Sequence, residues 1–149
     1  MKRCLICEDT GSSLIAAEIA REYEDWDVKC STNWLDIRSW IDIEPGAYTF
    51  DAFIFDLEVP TYGLQKINGM PYGASSDATP SLYYLNNYFT IKYPDLKERI
   101  IICSAYFDKY SEQNKSFLYE QYILISKYDD NYPNCLIDKM NELASIKKG

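Results

Sequence analysis

Five positions carry residue types suited to phosphoryl chemistry: Glu8, Asp9, Asp56, Ser104 and Lys127. Each stands where an apolar run gives way to polar sequence. Cys4–Cys7 meets Glu8-Asp9, Ala52–Phe55 meets Asp56, Ile100–Cys103 meets Ser104, and Ile123–Ile125 meets Ser126-Lys127. Three carboxylates gathered at one edge repel one another unless a cation sits among them. Oxygen ligands of this kind suit Mg²⁺, which keeps several waters and binds phosphate oxygens. A carboxylate aimed at such a metal can attack phosphorus and form an aspartyl phosphate. The Lys127 ammonium and the Ser104 hydroxyl would then hold the phosphoryl oxygens as charge shifts. Taken singly, an Asp or Ser at a strand end often only caps the next helix. Five in order at one edge make a site.

For these residues to meet, the runs must be neighbouring strands. Residues 2–7 read as a short buried strand, followed by loop chemistry at Glu8–Ser13 and an apolar helical set from Leu14 to about Tyr23. A second strand covers Asp27–Ser31. Asn33 can cap a helix whose Trp34, Leu35, Ile37, Trp40 and Ile41 line one face, and Pro45-Gly46 ends it. Tyr48–Phe55, Ile100–Cys103 and Tyr122–Ile125 are further strands. Their runs are continuous rather than alternating, as in strands buried on both faces. Residues 107–120 are helix-compatible, and 134–147 form an amphipathic last helix. Alternating strands and helices predict an α/β fold, with a parallel sheet covered on both faces. In such sheets the functional crevice lies beyond the carboxyl ends of the strands, where the five residues stand.

Composition removes rival chemistries. The 149 residues suit a single domain over 1–149. The net charge of −8 repels phosphate backbones and anionic lipid, so neither nucleic acid nor membrane is an expected partner. The chain has no histidine, which excludes Ser-His-Asp and Cys-His sites, HExxH zinc sites and any phosphohistidine donor. There is no Gly-rich phosphate loop. Five cysteines without framework spacing suit reduced thiols in the cytoplasm. The Cys4-x-x-Cys7 pair sits in an apolar run without a second pair, and reads as two core thiols. The apolar run after Met-Lys-Arg is too short for a signal peptide, and no stretch reaches transmembrane length.

The motifs Cys4-Leu-Ile-Cys-Glu-Asp9, Ala52-Phe-Ile-Phe-Asp56, Ile100-Ile-Ile-Cys-Ser-Ala105 and Ile123-Leu-Ile-Ser-Lys127 resemble those of bacterial response-regulator receiver domains, over nearly the whole chain. The resemblance implies a flavodoxin-like fold with a five-stranded parallel sheet in the order 2-1-3-4-5. It implies Mg²⁺ held by Glu8, Asp9, Asp56 and the main-chain carbonyl of Glu58, with Asp56 as phospho-acceptor. Ser104 becomes the switch hydroxyl, Ala105 the small residue that keeps access open, and Lys127 the phosphate-pairing ammonium. Glu58 and Tyr106 would flank the phosphoryl group and tune access of water. The implied partners are a sensor histidine kinase or phosphotransfer protein and a downstream protein. A homodimer is one candidate output, since no effector domain follows the last helix.

The chain also departs from that family. Tyr128 stands where proline usually follows the lysine, and Leu124 occupies the aromatic switch position, with Tyr122 the nearest aromatic. Asp56 and Ser104 are 48 residues apart, a longer span than usual. The extra length reads as an inserted Tyr-rich segment at about 60–94, serving as a lid, a partner-binding loop or a disordered insert. Within it, Tyr83, Tyr84, Leu85, Tyr88 and Phe89 suggest a helix whose aromatic face packs on the core or meets a partner. These departures favour a second reading, a receiver-like interaction module that takes no phosphate. A third is a haloacid-dehalogenase-type phosphatase, since Asp56-Leu57-Glu58-Val59 faintly resembles its first motif. That family gives no role to Glu8-Asp9 and places its motif near the start of the domain.

Overall fold

The structure, a computed structural model, describes residues 1–8, 22–57, 80–104, 118 and 120–146. The apolar runs become strands β1 (Lys2–Cys7), β2 (Trp26–Ser31), β3 (Ala52–Phe55), β4 (Ile100–Ser104) and β5 (Ile123–Ser126). They form one sheet in the order β2-β1-β3-β4-β5, every pair parallel, as the sequence predicts. Parallel neighbours require crossovers, normally helical. Helix α1 (Trp34–Asp42) lies in the crossover from β2 to β3, and its first turn is capped by the Asn33 carboxamide, which accepts from the Leu35 amide at 2.8 Å. Glu44-Pro45-Gly46 follows it, with Gly46 at φ 94°, a value that side chains with a β-carbon rarely adopt.

Helix α2 (Pro80–Lys92) leads from β3 to β4. It runs as α-helix over Pro80–Tyr84, widens to a π turn over Leu85–Phe89, and closes as α-helix over Thr90–Lys92. In the π turn the Leu85 carbonyl accepts from both the Thr90 amide and the Thr90 hydroxyl. These residues fall within the segment expected as an insertion. They supply the helix that the crossover needs, and Tyr84, Leu85 and Phe89 are fully buried in the core. Residues 60–79 of that segment lie outside the described residues. So do all but the last few positions of the predicted helices over 14–23 and 107–120. Helix α3 (Tyr132–Ala144) starts two residues earlier than predicted, with Pro133 in its first turn, where proline costs nothing. The expected strand from Tyr48 is shorter, because Ala47–Thr49 form a 3₁₀ turn before β3.

Period-two alternation sorts the strand side chains into two cores. Leu5, Cys7, Phe53, Phe55, Ile100 and Ile102 pack toward α1 and α2. Cys4, Ile6, Ile54, Ile101 and Cys103 pack toward α3, against Leu136, Met140 and Leu143. Cys4 and Cys7, three apart on one strand, therefore enter opposite cores and cannot pair with each other. Both are buried free thiols. Arg99, just before β4, ties the second core together. Its buried guanidinium donates to the carbonyls of Asp51 (3.1 Å), Leu143 (2.9 Å) and Ile146 (2.6 Å). The last two carbonyls lie at the end of α3, where cationic donors are favoured.

Candidate functional site

The register of the sheet sets the site. Cys7 pairs with Phe55, so Glu8 and Asp56 emerge side by side from the two central strands, and Ser104 pairs with Ser126. The site residues also extend the ladder by one rung. The amide of Glu8 donates to the Ser31 carbonyl (3.3 Å), that of Asp56 to the Cys7 carbonyl (2.8 Å), and that of Lys127 to the Ser104 carbonyl (3.0 Å). Their positions are thus fixed by strand pairing.

Asp56 is the centre. Its Oδ2 lies 2.8 Å from Lys127 Nζ, and its Oδ1 accepts from Ser104 Oγ at 3.1 Å. Asp56 and Ser104 are buried, and the Lys127 side chain is 5% exposed. Glu8 is buried beside them and accepts from the Cys30 thiol at 3.3 Å. Two buried cysteines register the convergence of these charges. The Cys7 thiol is pushed well up, first by burial and then by Cys30, Asp56 and Glu8. The Cys103 thiol is pushed up to about 12, mainly by burial, with Lys127 opposing and Asp56 and Glu8 adding. Both thiols therefore lie within electrostatic reach of both carboxylates.

A carboxylate thus ends a central parallel strand, gripped by a serine and a lysine at the ends of the next two strands. Among solved structures, the chain is similar to a CheY-like response regulator receiver domain protein from Methanospirillum hungatei JF-1. The TM-score is 0.60 and the identity 19%, over 95% of this chain and 92% of that one. The chain has the receiver-domain fold. No protein-family model matches the sequence, and no curated protein matches it.

Within this receiver fold, Glu8, Asp56, Ser104 and Lys127 come together as predicted, while Asp9, Glu58, Ala105 and Tyr106 lie outside the described residues. Among the described residues no three acidic or thiol side chains form a metal-binding group. Glu8 and Asp56 still fit a hard divalent cation. They bring two carboxylates to adjacent strand ends, against the single positive charge of Lys127. Asp9 would be the third acid.

Two positions at which the sequence differs from the motifs it resembles, Leu124 and Tyr128, fall on described residues. Lys127–Tyr128 is trans, since the one cis peptide among the described residues is Glu44–Pro45. The turn after Lys127 is set instead by Ser126, whose hydroxyl accepts from the Tyr128 amide and whose carbonyl accepts from the Asp129 amide. Tyr122 precedes β5, four residues and about 13 Å of strand from Ser126, at the opposite end from Lys127. Its hydroxyl donates to Asn86 of α2, so it does not line the Asp56 site. A cavity of about 330 Å³ between Lys97, Glu120 and Tyr122 also opens at that far end.

One residue at the site escaped the sequence reading. Ser81, fully buried, donates its hydroxyl to the main-chain carbonyl of Asp56. Pro80 is the signal that could have found it. Proline favours the first turn of a helix, and the helix following β3 must start at that strand's carboxyl end.

Proposed function

We propose that the chain is a phospho-accepting receiver of a two-component system, with Asp56 as the acceptor. The observation that supports this is the Asp56 carboxylate held between Lys127 (2.8 Å) and Ser104 (3.1 Å) at the end of a central strand. An Asp56 oxygen attacks the phosphorus of a phosphohistidine on a sensor kinase or phosphotransfer protein, or of an acyl phosphate. The new O–P bond forms as the P–N or P–O bond breaks. The electron pair leaves with imidazole, which takes up a proton, or with the carboxylate of the acyl group.

Lys127 and Ser104 move from the carboxylate to the phosphoryl oxygens and stabilise charge there. Glu8, Asp9, Asp56 and the Glu58 carbonyl are the residues to hold Mg²⁺, which would neutralise charge on the transferring group. Ala105 leaves room for the donor, and Glu58 and Tyr106 border the approach of water. The shift of Ser104 and Lys127 biases the face built on β4 and β5 between two arrangements, read by a downstream protein in the cytoplasm. Among the described residues, no helix is long and apolar enough to cross a membrane.

The deciding experiment is intact mass with acetyl phosphate and Mg²⁺. A labile gain of one phosphoryl group, absent from Asp56→Asn, is expected. An unchanged mass favours the interaction module, and steady hydrolysis of a phosphate ester favours the phosphatase.

A further inference from the structure

Asp56 is gripped at more places than its carboxylate. Its amide donates to the Cys7 carbonyl, its two carboxylate oxygens meet Ser104 and Lys127, and its own carbonyl accepts from Ser81. Two of these holds come from strand residues, Cys7 and Ser104, and a third from Lys127, the residue after β5. The fourth comes from the first turn of α2, and Ser81 is fully buried there.

We propose that Ser81 is a positioning residue for the acceptor aspartate; this rests on the reading of Asp56 as phospho-acceptor. The carbonyl of Asp56 belongs to the peptide plane that joins it to Leu57. With the Asp56 amide held by the Cys7 carbonyl, the place of this carbonyl carbon sets the torsion about the Asp56 N–Cα bond, and with it the direction in which the carboxylate leaves the main chain. A hydroxyl bound to the carbonyl fixes the plane. β3 ends at Phe55 and Leu57 lies in a turn, so Ser81 holds this carbonyl from outside the sheet. Ser81 Oγ has the reach of a short side chain anchored in a helix, so it holds the carbonyl with little loss of rotamer freedom. In-line attack on phosphorus is sensitive to misplacement of the nucleophile on the scale of an ångström, where rates can fall about a hundredfold. Ser81 therefore acts through Asp56 and need not touch the phosphoryl group.

The test compares Ser81→Ala, Ser81→Thr and Ser81→Cys with the wild type at a temperature where all are folded. Ser81→Cys nearly keeps the volume but offers only a weak S–H donor, so it covers the case in which Ser81→Ala does not fold. The readouts are the rate of labelling by acetyl phosphate at saturating Mg²⁺ and the amide ¹⁵N shift of Leu57, which senses hydrogen bonding at the preceding carbonyl. We expect labelling to slow about tenfold in Ser81→Ala and Ser81→Cys, and to return to within threefold of wild type in Ser81→Thr. The Leu57 shift should move in the first two variants and not in the third. A purely structural role would lower the urea midpoint and leave the labelling rate of folded protein unchanged. Labelling of Ser81→Cys at the wild-type rate, or an unmoved Leu57 amide, overturns the proposal. A wild type that takes no phosphoryl group overturns the acceptor role of Asp56 instead, so the two failures are distinguishable.

Discussion

Lys127 Nζ and Asp56 Oδ2 are 2.8 Å apart, and their side chains are 5% and 1% exposed. A pair this buried behaves asymmetrically. Removing one member strands the other charge out of water, while removing both relieves the desolvation cost. Lys127→Met should therefore destabilise the chain by about 3 kcal/mol, and Asp56→Asn combined with Lys127→Met should recover most of that loss. Urea denaturation measures both. Equal midpoints for the single and double variants would show that water reaches the pair.

Glu8 leaves its mark on a neighbouring thiol. Cys30 is pushed up to about 12, first by desolvation and then by the charge of Glu8 and the hydrogen bond to it. Glu8→Gln removes the charge, so the thiol pKa falls and more thiolate exists at a given alkaline pH. Alkylation of Cys30 by iodoacetamide at pH 9 should accelerate several-fold in that variant, followed by peptide mass mapping. An unchanged rate would assign the whole shift to desolvation.

Arg99, just before β4, braces the end of α3. Arg99→Ala removes three charge-assisted hydrogen bonds to main-chain carbonyls. A loss of about 3 kcal/mol in urea is expected, with Arg99→Lys recovering only part of it. Phosphorylation of the folded protein should be unaffected, because these contacts lie at the far end of the sheet.

Lifetime of the phosphorylated form is the fourth prediction. Glu58→Asn and Tyr106→Ala should each change the rate of dephosphorylation, followed by loss of label after removal of acetyl phosphate. Rates equal to wild type in both would remove these residues from the path of water.

The sheet was legible because its strands are buried on both faces, and continuous runs such as Ile100–Cys103 have no other comfortable home. The four site residues that meet were legible for the same reason: each ends such a run. Ser81 was marked only by Pro80 before it, which signals the start of a helix and not the distant carbonyl that the serine reaches. Nothing in the sequence around Arg99 marks its partners, and only the packing of α3 shows what it bonds. In the Tyr-rich stretch the aromatic spacing of Tyr84, Leu85 and Phe89 made the helix and its core face legible. What spacing could not show is the long-range bonding: Tyr88 and Tyr93 reach back to Asp42 of α1 at 2.7 and 2.8 Å.

The π turn in α2 carries a consequence for chain length. A π turn spends five residues on about the rotation that an α-turn makes with four, so side chains five apart share a face across it. Tyr84 and Phe89 are such a pair, and both are buried in the core. Asn87, within the turn, is exposed and donates to the Tyr83 carbonyl. Deleting that single residue would leave Tyr84 and Phe89 four apart, still on one face of a plain α-helix. At this place the chain can change its length more cheaply than it can change a buried letter.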